Sequence, residues 1–103
     1  MISAKLEKML NDQLNKEFYS AYLYLSIEAY FTSLNLAGFA HWFHVQVQEE
    51  RDHSLIFFNY ISKVGGRVRL QAIDTPQVDF ASMGEALELT LKHALFHRCC
   101  HYR

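Results

Sequence analysis

Apolar residues recur along this chain with the period of a helix, not of a strand. From Ala4 to about Ser33, Leu6, Leu10, Leu14, Ala21 and Tyr24 lie within roughly 60° of Glu17 on a helical wheel. Over residues 38–64 the positions Phe39, Phe43, Val47, Glu50, Ser54, Phe57 and Ile61 share a second stripe, with His53 at its margin. Ser3 is placed to cap the first helix, whose length at about 1.5 Å per residue comes to about 45 Å. Asn35 and Gly38 interrupt the pattern after Leu34, so a short turn folds the second helix back as an αα-hairpin. Gly65 and Gly66 end that helix, and the stretch from there to Ser82 holds Pro76 and no helical period. Extended, it reaches up to about 59 Å, enough to travel the length of a helix of about 40 Å, which predicts a third helix parallel to the second. Ser82-Met83-Gly84-Glu85 has the form of a capping box, and Ala86, Leu87, Leu89, Leu91 and Ala94 continue it as that helix. The fold class is therefore all-α: a helical bundle that is incomplete, with one flank bare where a fourth helix would close the core.

Three polar residues break these apolar stripes. Glu50 and His53 point at the core from the second helix, and Glu17 does so from the first. An ionised carboxylate in such a place costs several kcal/mol in desolvation unless a cation or metal ion accompanies it. Two carboxylates and one imidazole supply hard oxygen donors and a borderline nitrogen, a set that suits iron or manganese and leaves coordination positions open. Glu28 lies on the same face near the helix end and is expected to reach water. Trp42 and the phenylalanines of the second helix are read as packing residues.

Composition narrows the picture without adding chemistry. The chain has 103 residues, half of them hydrophobic, which allows one domain with a modest core. Ten Lys and Arg against eleven Asp and Glu give a net charge of −1, which points to neither a nucleic-acid nor a membrane partner. No apolar run approaches the roughly 20 residues of a membrane span, and the first residues lack the layout of a signal peptide, so a soluble, cytoplasmic protein is expected. The only cysteines, Cys99 and Cys100, are adjacent and form no disulfide framework. From Ala94 onward there is no acidic residue, and residues 94–103 read as an atypical tail. His93, His97 and His101 recur there every four residues beside Cys100, superficially a soft-metal pattern, and are read as chance.

Two segments carry a family resemblance. Asn15-Lys16-Glu17-Phe18-Tyr19-Ser20-Ala21-Tyr22-Leu23-Tyr24-Leu25 and Gln48-Glu49-Glu50-Arg51-Asp52-His53 resemble the iron-site segments of prokaryotic non-haem ferritins, members of the ferritin-like di-iron bundles. The likeness runs from Met1 to about His93, within a single domain of residues 1–103. It implies that Glu17 and His53 are ligands of a first iron and Glu50 a bridging carboxylate. It also implies that Tyr24 takes part in electron transfer beside the site, and that Glu49 helps to hold a further iron. Taken singly, Tyr24 would be a core tyrosine and Glu49 a solvated charge. Arg51 and Asp52 stand where a bacterioferritin carries its haem-ligating methionine, so no haem is expected, and the absence of a Cys-x-x-Cys pair argues against a rubrerythrin.

The departures limit what the resemblance implies. Ferritins carry a Glu one residue after a Lys-His pair on the third helix, as a ligand to the second iron; here Lys92-His93 is followed by Ala94. With a fourth helix also absent from the text, the chain reads as a truncated or frame-shifted ferritin. The implied function is iron storage: Fe(II) bound and oxidised to Fe(III) for mineral deposition in a hollow homo-oligomeric shell, a ferroxidase activity impaired here. The alternative is a non-catalytic helical fragment that binds no metal and associates with itself or with intact subunits.

Overall fold

The computed structural model of the chain describes residues 2–101, with side chains through Phe96. Three helices appear in the expected order, α1 (Ala4–Ser33), α2 (Ala37–Lys63) and α3 (Met83–His101). The described part measures 49 × 22 × 20 Å, its long axis set by α1. No described helix is long and apolar enough to cross a membrane. The pattern His93, His97, His101 and Cys100 falls, except for His93, on side chains outside the described residues.

Local chemistry sets the ends of the helices. Ser3 Oγ accepts from Leu6 N at 3.1 Å, one of the four N–H groups that the first turn of a helix leaves without partners. Asn35 closes α1 with φ at 60°, a left-handed conformation that asparagine tolerates. Leu36 N then donates to Phe31 O at 3.0 Å and Asn35 N to Thr32 O at 3.0 Å, the paired bonds of a Schellman turn. Gly65, φ 82°, repeats the device after α2, with Gly66 N donating to Ile61 O at 2.9 Å. Gly66 is needed for closeness as well, since a Cβ there would stand 3.0 Å from Ile61 Cγ2. Gly38, expected to interrupt the chain, lies inside the first turn of α2, so Asn35 makes the turn without it. At α3, Glu85 N donates to Ser82 Oγ at 3.1 Å, while the Glu85 carboxylate accepts from Ala81 N, one residue before the position of an ideal capping box.

Asparagines of α1 hold the crossover. Asn11 Oδ1 accepts from Arg69 N at 2.7 Å and its Nδ2 donates to Arg67 O at 3.0 Å. One helical turn later, Asn15 Oδ1 accepts from Gln71 N at 2.9 Å and its Nδ2 donates to Arg69 O at 3.0 Å. Four residues of helix rise about 6 Å and two residues of extended chain about 6.6 Å, so a pair of amides at this spacing stands in for a neighbouring strand. Ser26 Oγ donates to Gln77 O farther along, which shows the crossover running with α1 toward its C-terminal end. α3 therefore starts beside that end, where Phe80 and Tyr30 pack at 5.1 Å between ring centroids, and runs antiparallel to α1 and parallel to α2, as predicted.

The main apolar cluster joins Leu23, Tyr24, Ile27 and Phe31 of α1 to Ala40 and Phe43 of α2 and Ala86 of α3. Phe31 lies between Phe39 and Phe43, with near-parallel rings 5.2 and 5.5 Å away. Phe39 and Leu6, placed on the core stripes by periodicity, sit at the edges and remain about two-fifths exposed, at 42% and 41%. A second apolar group, Leu14 and Ile61, lies nearer the N-terminal end of α1. Glu17 and Glu50 fall between these two groups.

Candidate metal centre

The helical spacing foreseen for Glu17, Glu50 and His53 brings the three together. Glu17 has no solvent exposure and Glu50 is 7% exposed, whereas His53 is half-buried at the rim. One ligand atom from each lies within 4.8 Å of the others, the only such trio among the described residues. His53 Nδ1 is 3.7 Å from Glu17 Oε2 and 3.8 Å from Glu50 Oε2. Those separations exceed a hydrogen bond, which favours about 2.7–3.2 Å. They come close to what one ion requires: donors about 2.1 Å from a common centre stand about 3.0–3.4 Å apart at octahedral to tetrahedral angles. The two carboxylates need only side-chain rotation to close the rest, since all three ligand atoms already lie within 4.8 Å of one another.

Neighbouring groups orient the trio. Gln13 Nε2 donates to Glu17 Oε1 at 3.2 Å, which leaves Oε2 turned toward His53. Ser54 Oγ donates to Glu50 O at 3.2 Å and approaches Leu14 O at 3.5 Å, satisfying a buried hydroxyl where the two helices meet. Tyr24 is buried one side of the acids. Burial, and then the charges of Glu50 and Glu17, push its phenol up to about 12, because ionisation would add a third negative charge to a dry site. The phenol is thus a neutral donor across the physiological range.

The sign of this shift gives a testable consequence. A folded-state value above the ordinary value near 10 contributes stability that is present below pH about 10 and is lost as pH rises through about 12. Of the six tyrosines, one is expected to ionise last in an alkaline absorbance titration, and Tyr24→Phe should remove that late step. A late step that survives the substitution would assign the shift to another tyrosine.

His93 of α3 completes the surroundings. Its Nε2 lies 2.9 Å from Ser20 Oγ, and its ring meets Tyr24 edge-on at 5.7 Å and Tyr19 at 6.1 Å. The inward position was legible in the spacing Ala86, Leu89, His93, although the sequence reading used His93 only as the residue before Ala94 and as one of the histidines recurring every four positions toward the end of the chain. The roles of Asn11, Asn15 and Gln13 were not foreseen. The available signal was two asparagines one turn apart inside a helix, where asparagine is disfavoured unless its side chain is employed. Glu49 is exposed, one step around α2 from Glu50, and stands outside the trio. Glu28, expected to reach water, instead lies with Oε2 3.3 Å from His44 Nδ1 on α2.

Residues 7–97 match the family described as the ferritin-like domain. The chain belongs to the ferritin family. Among curated ferritins it is similar to the bacterial non-heme ferritin of Staphylococcus aureus, at 36% identity over 91 residues that cover 88% of this chain and 55% of that protein. It is likewise similar to the bacterial non-heme ferritin of Bacteroides fragilis, at 38% identity over 93 residues covering 90% of this chain and 58% of the other. Among solved structures, an engineered closed form of the Archaeoglobus fulgidus ferritin superposes with a TM-score of 0.90 at 43% identity, covering 94% of this chain and 59% of that one. The open pore ferritin of the same hyperthermophilic archaeon gives 0.88 at 44% identity, covering 93% and 58%. The chain thus spans a little over half the length of the curated ferritins it matches.

Proposed function

We propose that this chain is the iron-handling part of a ferritin subunit, in which Glu17, Glu50 and His53 take up Fe(II) as substrate. Its oxidation to Fe(III) would feed ferric mineral stored in a hollow shell of many copies in the cytoplasm. The observation that carries this reading is the convergence of two buried carboxylates and one imidazole at ion-sized separations. Glu17 and His53 hold the first ion, and Glu50 reaches toward a second position. Anionic oxygens favour Fe(III) over Fe(II), so the same donors that bind the ion lower the barrier to losing an electron. The acceptor is dioxygen or peroxide. Tyr24, neutral and beside the acids, is positioned to lend an electron, and the exposed Glu49 offers a carboxylate to a further ion.

Position 94 favours slow chemistry. An alanine stands where ferritins carry a carboxylate, which leaves the second iron position short of donors. The competing reading, a helical fragment that binds no metal, rests on the same deficiency. Anaerobic titration with Fe(II) followed by oxygen consumption separates the two. The proposal expects one saturable Fe(II) per chain and oxidation little faster than that of free iron. Fast oxidation at two irons per chain would refute the half-site, and no saturable uptake would favour the fragment.

A further inference from the structure

Glu17 gives its two oxygens to different partners. Oε2 lies 3.7 Å from His53 Nδ1, on the side where the three donors converge. Oε1 accepts from Gln13 Nε2 at 3.2 Å, one helical turn back along α1. An ionised carboxylate only accepts, so the amide presents its N–H side and the pair has a single orientation. Glu17 has no solvent exposure, whereas Gln13 is half-buried, so the amide reaches in from the surface to a dry oxygen that bulk water does not contest. A hydrogen bond to an ionised acceptor is about twice as strong as one between neutral groups. Both oxygens of one carboxylate grip a metal ion only if the group turns to face it squarely, and here that turn breaks the bond to Gln13.

We propose that Gln13 is a positioning residue: it holds Glu17 to the ion through Oε2 alone and so keeps one coordination position open. The inference rests on the metal reading above. Two carboxylates and one imidazole leave an ion of the iron type short of donors, and Glu17 Oε1 is a hard anionic oxygen on a group that the ion already touches. Without a competing donor, that oxygen closes onto the ion and fills the position with a ligand that does not exchange. With Gln13 in place the position stays exchangeable, which is what a dissolved oxidant needs in order to approach. The amide therefore lowers affinity and preserves access, so removing it should tighten metal binding and exclude a small added anion. A side chain that merely packs beside Glu17 would produce neither change. One that merely stiffens the carboxylate would weaken metal binding when removed.

The test uses Co(II) alone as the ion, because its visible absorbance falls as its coordination number rises, and azide as the small anion. Gln13→Met keeps the length of the side chain and removes the donor. It should bind Co(II) several-fold more tightly than the unaltered chain, with a weaker visible band, and its Co(II) form should bind azide on the order of tenfold more weakly. Gln13→Lys supplies a donor again, so the stronger band and the azide binding should return, with Co(II) affinity lowered by the added positive charge. Retained helical circular dichroism keeps each variant interpretable. A Gln13→Met chain whose Co(II) band and azide affinity are unchanged, or whose Co(II) binding is weaker, would overturn the proposal and leave the three-residue site standing. If the unaltered chain takes up no Co(II), the metal reading fails and this inference falls with it.

Discussion

Glu17→Leu is expected to make the metal-free chain more stable and to weaken ferrous binding at the site sharply. Glu17 has no solvent exposure and its carboxylate lies within 4.8 Å of a Glu50 oxygen and 3.7 Å from His53 Nδ1, so without a metal ion two acids share one imidazole in a dry space. Leucine fills a similar volume with no charge to desolvate. Replacing a whole buried ionic cluster by well-packed apolar side chains commonly stabilises by about 1–4 kcal/mol; here one member is replaced, His53 keeps Glu50 as its partner and the repulsion between the two acids is relieved, so a gain at the lower end of that range is expected. Gln13, which loses its acceptor, is only half-buried and can turn to water. With Glu50 and His53 alone, affinity for Fe(II) should fall by a factor on the order of 100 or more, since losing a ligand costs at least what altering a ligand's outer partner does. Urea midpoints and anaerobic iron titration on one preparation report both signs. Lower stability with unchanged binding would mean that Glu17 has a structural role instead.

Phe31→Ala should be the most damaging single change to the fold. Phe31 is fully buried, its ring stacked between Phe39 and Phe43, and it sits where α1, the hairpin turn and α2 meet. Removing a buried phenylalanine costs about 3–5 kcal/mol, from lost transfer energy and from the cavity left behind. A domain of this kind holds only about 5–15 kcal/mol in total, so a large part of the population should unfold near physiological temperature. Ile56→Ala is the matching control. Ile56 is 64% exposed, and a change there should stay within about 0.5 kcal/mol. Thermal melts followed by circular dichroism check the contrast, and near-equal midpoints would contradict the assignment of the core.

Most of this architecture was legible because helices announce themselves through period. Three helices and the inward trio follow from which residues recur at three or four positions, the hairpin from the short break between the first two stripes, and the parallel course of α3 from the length of the connector. What period does not carry is how far a stripe extends before the partner helix ends. Phe39 and Leu6 fit the stripes and yet lie at the edges of the contact between α1 and α2. Gly38 resembled a breaker, but a glycine in the first turn of a helix meets no obstacle, and a Cβ there would find open space. The pinning of the crossover by Asn11 and Asn15 depends on an extended segment some 55 residues away in sequence, and no local pattern encodes that pairing. Glu28 illustrates the same limit, since its partner His44 belongs to the other arm of the hairpin.

The central claim is that three side chains from two helices form one site for a hard cation. Equilibrium dialysis of Fe(II) under strict exclusion of oxygen tests it most directly, with the unaltered chain compared against the variant Glu17→Leu, Glu50→Leu, His53→Leu. One ion per chain, lost in the variant while its helical content and urea midpoint hold or rise, is the predicted result. Equal uptake by both proteins would contradict the account.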